Sequence, residues 1–309
     1  MRKNRLTSKG LLAALCAAAL AATVALAQAA TQVAPAPSGA IAVGQGPEGV
    51  TFDGAHVFVA NQFSNTVTKL RASDGAVVGT FNVGRRPVGL AFDGTQVWVA
   101  NYLSNNVMKI DPANGEVVGT FAVGEGPGGL LCAGGNVWVA NRNSNTVTKL
   151  RANDGRMLGT YEVGTRPLCL ATDGPYVYVT NNNSDTVTKL RESNGVVVGT
   201  FAVGDGPFGV AFDGTYLWVA NFGDGKVMKM GTDGALAGTY RVGDGPVSAI
   251  HKDGFIYVVN NGGDSLTKLR ASDGMNLGVL PVGRSPIGVA AAGPNIWVAN
   301  FGGNSVTKQ

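Results

Sequence analysis

Few residues of this sequence have side chains and spacings suited to catalysis. Its only two histidines are His56, which opens a predicted strand, and His251, at a strand position that Phe52, Phe92 and Phe212 occupy elsewhere. A histidine isolated on a packed strand is typical of a core residue, because acid–base catalysis needs a positioned partner. The sequence also lacks a G-x-S-x-G motif, a Cys/His pair and histidines at metal-binding spacing. We therefore predict no catalytic residue, no metal site and no cofactor.

Recognition chemistry is concentrated in two recurring loops. The first carries Arg85, Arg86, Glu125, Arg166, Asp205, Asp244 and Arg284. The second, directly after a recurring Asn, carries Gln62, Tyr102, Arg142, Asn182, Phe222, Asn261 and Phe301. Mixed charge interleaved with aromatic side chains is typical of recognition surfaces, and drift of exposed loops is the alternative interpretation. The predicted ligand-binding residues are Gln62, Arg86, Tyr102, Arg142, Arg166, Asn182, Asp205, Phe222, Asp244, Arg284 and Phe301.

These loops belong to seven copies of one sequence unit, which recurs in steps of 40 residues with a single step of 39. Each copy contains four short β-type runs, which in the fifth copy read PFGVAF, YLWVAN, KVMKM and ALAGTYRV. Asp-Gly between two apolar runs predicts a type I′ hairpin. No apolar stripe of helical period follows the amino-terminal segment. The pattern predicts an all-β, seven-bladed β-propeller of four-stranded antiparallel blades, with a solenoid as the alternative.

The two ends of the repeat array predict how the ring closes. The last copy stops at SVTKQ, after its third strand, whereas residues 40–43 match the end of a fourth strand. We therefore predict that the amino-terminal strand completes blade seven, which leaves no blade with an unpaired edge at the closure.

Three rings of identical or similar residues accompany the strands. Aromatic residues on the second strand are predicted to pack between blades: Phe58, Trp98, Trp138, Tyr178, Trp218, Tyr257 and Trp297. A recurring asparagine ends the same strand and is interpreted as a turn lock that bonds its own backbone: Asn61, Asn101, Asn141, Asn181, Asn221, Asn260 and Asn300. A lysine ring on the third strand is expected to keep its ammonium groups in water: Lys69, Lys109, Lys149, Lys189, Lys229, Lys268 and Lys308.

The amino terminus has the features of an export signal. A basic segment, an apolar run from Leu11 to Leu26 and the Ala25-Leu26-Ala27 pattern predict a signal peptide over residues 1–27. This segment is followed by an Ala/Pro-rich tether over residues 28–37 and by the propeller over residues 38–309. Removal of residues 1–27 removes four of the 24 basic residues and no acidic one, which leaves 20 charges of each sign. We expect an extracytoplasmic, periplasmic or secreted protein without a transmembrane segment, and the neutral charge argues against nucleic acid as the partner.

Two cysteines remain after this cleavage, Cys132 and Cys169, on the first strands of neighbouring repeats. They differ by three places in repeat register, a stagger of about 10 Å along the strand. This separation exceeds the Cα distance that a disulfide spans. We expect buried free thiols.

The sequence resembles two known propeller families. Tyr178-Val179-Thr180-Asn181, within PLCLATDGPYVYVTNNNSDTVTKL, resembles the signature of the YVTN-repeat propellers. This resemblance covers all seven copies and implies a seven-bladed extracytoplasmic propeller, in a class that includes surface-layer-associated proteins and a periplasmic protein linked to single-stranded DNA binding.

The second resemblance is to the virginiamycin B lyase group. It rests on the motif G-P-x-G-V at residues 206–210, on Trp218 and on Lys229. In that group the x of certain motifs is a histidine, which works with a second histidine, a glutamate and Mg²⁺ to open a cyclic depsipeptide. The x positions here contain no histidine: Glu48, Val88, Gly128, Leu168, Phe208, Val247 and Ile287.

We therefore predict a non-catalytic propeller, expected to be monomeric. It would bind an unidentified ligand, protein or cell-envelope partner on the face formed by the loops before strand one and between strands two and three of each blade. A virginiamycin B lyase-like enzyme and a single-stranded DNA-binding propeller are the alternatives.

Overall fold

Each sequence repeat folds into four antiparallel strands, because short alternating apolar runs are separated by residues that favour tight turns. The computed structural model describes residues 39–309, so the predicted signal peptide and tether lie outside the described residues. The first described strand is β1 (Ala40–Ala42), and blade 1 contains β2 (Pro47–Phe52), β3 (His56–Asn61), β4 (Thr66–Arg71) and β5 (Val77–Asn82). Blade 2 contains β6 (Pro87–Phe92), β7 (Val97–Asn101), β8 (Asn106–Ile110) and β9 (Val117–Ala122).

The later blades repeat this order. Blade 3 contains β10 (Pro127–Ala133), β11 (Asn136–Asn141), β12 (Thr146–Arg151) and β13 (Met157–Glu162). Blade 4 contains β14 (Pro167–Thr172), β15 (Tyr176–Asn181), β16 (Thr186–Arg191) and β17 (Val197–Ala202). Blade 5 contains β18 (Pro207–Phe212), β19 (Tyr216–Asn221), β20 (Lys226–Gly231) and β21 (Leu236–Arg241). Blade 6 contains β22 (Pro246–Lys252), β23 (Phe255–Asn260), β24 (Ser265–Arg270) and β25 (Asn276–Pro281).

Blade 7 contains β26 (Pro286–Ala292), β27 (Asn295–Asn300) and β28 (Ser305–Lys308), with a short 3-10 helix over Phe301–Gly303. Its fourth strand is β1, which pairs antiparallel with β28 in the register Ala40 with Thr307, Ile41 with Val306 and Ala42 with Ser305. The predicted closure of the ring by the amino-terminal strand is confirmed, as is the seven-bladed all-β fold. In residues 39–309 no helix is long and apolar enough to cross a bilayer.

The seven aromatic residues of the second strands pack between blades, as predicted. Trp218 in blade 5 is fully buried in a cluster with Ala249, Ile256 and Val258 of blade 6, and the other clusters repeat this arrangement around the ring. Since truncation of such a residue to alanine costs about 3–5 kcal/mol, these interfaces supply much of the stability.

The predicted type I′ hairpins are wrong for most blades. Only blades 3 and 6 have two consecutive positive φ angles in the hairpin between strands one and two, at Gly134–Gly135 and Asp253–Gly254. In blade 2, only Gly94 has a positive φ, because Asp93 accepts bonds from the backbone N–H groups of Thr95 and Gln96. Asp93 also accepts a 2.7 Å bond from the indole Nε1 of Trp98, so this turn residue holds the buried ring.

The recurring asparagines at the end of strand two form hydrogen bonds to a neighbouring strand rather than to their own backbone. Asn61 Nδ2 donates to the hydroxyl groups of Thr66 at 3.1 Å and Thr68 at 2.8 Å, both on β4. The side chain also packs against Gly44 in the loop before strand one, where a Cβ would lie 2.6 Å from Asn61 Cγ. The interpretation as a local turn lock is corrected, because the asparagine ties strand two to strand three and to this loop.

None of the seven ring lysines is fully exposed and four are buried, which corrects the expectation from the sequence. Lys109 is only 7% exposed, and its Nζ donates to the carbonyl oxygens of Ala152 at 2.7 Å and Asn153 at 3.1 Å in the next blade. The ammonium also lies 5.3 Å from the ring centroid of Trp98. Lys308 makes the same contact across the closure, to Ala72 and Ser73 of blade 1. Five of the seven lysines therefore link neighbouring blades through such bonds: Lys109, Lys149, Lys189, Lys229 and Lys308.

We expect Lys109→Met to lower the free energy of unfolding by about 1–3 kcal/mol, because the two carbonyl groups of blade 3 lose a charged donor. Chemical denaturation of the variant measures this loss. Arg71→Met, which removes an exposed ion pair with Asp74, is the control and should cost less than about 1 kcal/mol. An equal, small effect of both changes would show that the lysine contributes only its aliphatic stem.

Both cysteines of the propeller are free thiols, as predicted, although each is partly exposed rather than fully buried. Desolvation, with a smaller contribution from the Asp93 carboxylate, raises the pKa of Cys132 to about 12. Burial likewise raises the pKa of Cys169. Because the thiolate is the reactive form, neither thiol is activated as a nucleophile.

Candidate ligand-binding site

The loop that precedes strand one and the loop that joins strands two and three lie on the same face of each blade. In blade 1, the backbone N–H of Gln62 donates to Gly46 O at 2.9 Å, and that of Phe63 donates to Gln45 O at 3.0 Å. The other blades repeat these bonds. We call this surface the loop face. The opposite surface carries the turns between strands one and two and between strands three and four, and we call it the hairpin face.

A cavity of about 110 Å³ opens among the loops of blades 1–4 on the loop face. We call it the arginine pocket. Its lining residues are Gln62, Arg86, Val88, Tyr102, Arg142, Asn143 and Arg166.

Two of these arginines occupy a backbone position that favours glycine. Arg86 and Arg166 both have φ of 57°, in the left-handed region. The equivalent residue is Gly46, Gly126, Gly206 or Gly245 in four other blades, with φ between 60° and 62°, and the smaller Ser285 in blade 7, with φ of 49°. A residue with a Cβ pays roughly 1–2 kcal/mol in this conformation. The only two arginines at this position therefore carry backbone strain, and both line the same cavity.

Tyr102 lies between two guanidinium groups in the arginine pocket. The ring centroid is 5.1 Å from Cζ of Arg86 and 5.9 Å from Cζ of Arg142. The hydroxyl group donates to Asn143 Oδ1 at 3.1 Å. These cation–π contacts hold the two charged groups in place.

A charged contact between blades 1 and 3 borders the pocket. Arg142 donates from Nη2 to Glu48 Oε1 at 3.1 Å, and Gln62 Nε2 donates to Glu48 Oε2 at 2.6 Å. The arginine side chain crosses Gly128, where a Cβ would overlap its guanidinium. Gly128 therefore leaves the space through which Arg142 reaches Glu48.

Three polar atoms of the pocket have no hydrogen-bond partner among residues 39–309. They are the Nε donors of Arg86 and Arg142 and the Oε1 acceptor of Gln62, and all three are buried. Leaving a buried polar atom unpaired costs about 1–3 kcal/mol, so such atoms call for an explanation.

The structure brings together five of the predicted ligand-binding residues, Gln62, Arg86, Tyr102, Arg142 and Arg166. Asn182 lies beside them, because its Oδ1 accepts a 3.3 Å bond from Arg166 Nη1. The other predicted residues lie on the loop face of blades 5–7, outside this cavity: Asp205, Phe222, Asp244, Arg284 and Phe301. Arg284 bonds the carbonyl oxygen of Gly302, and Phe301 packs edge-on against Phe63 at 5.4 Å.

Sequence reasoning missed Val88 and Asn143, which line the pocket, and Glu48, which borders it. Glu48 is the only charged residue among the seven x positions of the G-P-x-G motifs, and that difference between repeats was the available signal. The x positions line an axial cavity of about 120 Å³, which is otherwise mainly apolar.

The two histidines do not come together. His56 lies in a groove on the hairpin face between blades 7 and 1, and its Nδ1 is 3.3 Å from Asp53 Oδ2. His251 lies in a separate groove between blades 5 and 6. In the described part of the chain, no group of three or more His, Cys, Asp or Glu side chains is placed to hold a metal ion.

The fold and the loops define a seven-bladed β-propeller with a polar cavity on one face. The streptogramin B lyase structure is similar, with 17% identity and a TM-score of 0.75 over 87% of this chain and 95% of that one. Kuenenia stuttgartiensis hydrazine synthase is similar with 20% identity and a TM-score of 0.76 over 90% of this chain and 98% of that one. At these identities the similarity shows the fold alone. No protein-family model and no curated protein sequence matches the chain.

Proposed function

We propose that this chain is a non-catalytic, secreted or periplasmic β-propeller that binds a ligand or partner on its loop face, with the arginine pocket at the centre of recognition. The main support is that Arg86 and Arg166 occupy a left-handed position where most blades carry glycine. Strain of this kind clusters at functional sites, since a residue that cost stability without benefit is readily replaced by glycine.

Apolar side chains on the same face support this proposal. Phe63 is 58% exposed, Leu103 49% and Phe222 47%. Exposed aromatic groups beside charged groups are typical anchors of an interface. We further propose that the protein is a monomer of the YVTN-repeat type, an assignment that rests on residues 178–181 and their repeats.

The lyase alternative is not favoured by the site. In the virginiamycin B lyase group the proton transfers need paired histidines, whereas His56 and His251 lie in separate grooves away from the G-P-x-G motifs. The single-stranded DNA alternative is not favoured by charge, because the chain after residue 27 has 20 basic and 20 acidic residues and a phosphate backbone is bound by an excess of basic ones.

A thermal-shift screen of organic acids, phosphates, glycans, peptides and oligonucleotides tests the location of the site. We expect that a compound that raises the melting temperature of the parent protein has little effect on Tyr102→Ala combined with Phe222→Ala, because both rings lie on the loop face. The matched control is Asp74→Ala combined with Asn194→Ala, two turn residues of the hairpin face. If the control variant loses the shift and the aromatic variant keeps it, the ligand binds the hairpin face.

A further inference from the structure

The charge and size of the arginine pocket restrict the group that it can bind. Arg86, Arg142 and Arg166 contribute three positive charges and Glu48 one negative charge, so the formal net charge is +2. The volume of about 110 Å³ is well below the roughly 300–1,000 Å³ of sites that enclose a whole drug-sized ligand. The pocket therefore fits an anionic head group, with the rest of the ligand on the loop face.

The three atoms without a hydrogen-bond partner indicate which donors and acceptors a bound group must carry, in addition to its charge. Arg86 Nε and Arg142 Nε are free donors, whereas Gln62 Oε1 is a free acceptor. The orientation of the Gln62 amide follows from its 2.6 Å bond to Glu48, because a flipped amide would place two oxygen atoms against each other. All three atoms are screened from water, so the side chains must turn slightly for a bound group to reach them. A group that satisfies all three atoms must present acceptors to the arginines and a donor to Gln62.

We propose that the arginine pocket binds a carboxylate whose adjacent carbon carries an O–H or N–H donor, as in a 2-hydroxy acid, a 2-amino acid or the carboxyl-terminal residue of a peptide. This inference rests on the proposed function, because it names the chemistry recognised at the same surface. The planar, two-donor edge of a guanidinium matches a carboxylate. A fully ionised phosphate ester is disfavoured, because it offers acceptors to the arginines but no donor to Gln62 Oε1.

The arginine Nε–H signals in the ¹⁵N NMR spectrum of the full propeller report this binding directly. We expect lactate, alanine and N-acetylalanine to shift the signals of Arg86 and Arg142 with saturation, and about fivefold more tightly than propionate, which lacks the donor. Alaninamide, which lacks the carboxylate, should give no saturable shift, and methyl phosphate, which has no donor when fully ionised, should bind no more tightly than propionate. N-acetylalanine mimics a peptide terminus, so its affinity relative to lactate and alanine separates a polypeptide source from a free acid.

A double variant with Arg86→Gly and Arg166→Gly separates binding from folding. We expect its affinity for lactate, read from the Arg142 signal, to fall at least about tenfold, since charge-assisted bonds are lost. Its melting temperature should not fall, because glycine is the common residue at this left-handed position. Arg156→Gly, at an exposed turn of the hairpin face, is the control and should bind like the parent.

Several outcomes would overturn the proposal. Saturation by methyl phosphate but by none of the carboxylates would show that the anion class is wrong. Equal affinity for propionate and lactate would remove the role of Gln62. If no acid binds, yet a compound from the thermal-shift screen still depends on Tyr102 and Phe222, the carboxylate inference falls and the proposed function stands. If neither acids nor screened compounds depend on loop-face residues, both fall.

Discussion

A chain that begins at Gly44 is expected to melt at least about 10 °C below a chain that begins at Gly39. The missing segment contains β1, which pairs with the outer edge of β28. Its removal breaks the backbone hydrogen bonds between β1 and β28. It also removes Ile41, which packs against the cluster that contains Trp297, Val57 and Leu70. Backbone bonds contribute about 1 kcal/mol each and each kcal/mol shifts the melting temperature by about 2–4 °C at this size.

Scanning calorimetry of the two chains measures the shift and the sharpness of the transition. The chain from Gly39 is the control, because it keeps β1. We expect the shorter chain to unfold over a wider temperature range as well, since blade 7 would no longer close the ring. Equal melting temperatures would mean that the interfaces between blades, rather than the closing strand, hold the two ends together.

Gly288→Ala should be among the most destabilising single substitutions, with a loss of roughly 3 kcal/mol of unfolding free energy. A Cβ at this position of β26 would overlap the carbonyl oxygen of Glu48 on β2, where first strands of neighbouring blades meet near the axis. The backbone of the neighbouring blade must then move, which also displaces the Glu48 carboxylate from Arg142 and Gln62. Chemical denaturation measures the loss.

Gly262→Ala is the matched control. A Cβ there would lie 3.3 Å from the nearest heavy atom, Asp244 O, and the backbone φ is not left-handed. We expect it to change the free energy of unfolding by less than about 1 kcal/mol. A similar loss in both variants would show that glycine flexibility, rather than close approach of the blades, matters at Gly288.

The arginine pocket illustrates the limits of prediction from repeats. The loop positions of Arg86, Tyr102, Arg142 and Arg166 were identified because they differ between copies, and all four line the cavity. The same reasoning also selected Asp205, Phe222, Asp244, Arg284 and Phe301, which lie outside the cavity. A repeat alignment treats seven blades as equivalent, whereas the pocket forms only over blades 1–4.

The sequence by itself determined the number of blades, the four strands in each, the closing strand and the face on which variable loops lie. These features follow from turn residues and two-residue alternation, which act within about 40 residues and repeat seven times. Hairpin type was predicted less well, because an Asp side chain that accepts hydrogen bonds from the N–H groups two and three residues later changes the turn.

Only the tertiary structure decided where long polar side chains end. Lys109 bonds a carbonyl 43 residues away, and Arg142 meets Glu48 at a separation of 94 residues. Such partners depend on the curvature of the ring, which sets how closely successive blades approach and which loops converge near the axis. The sequence therefore predicts that a lysine on an outer strand is solvated. In the structure such a lysine is buried where the next blade supplies carbonyl groups within reach of its ammonium.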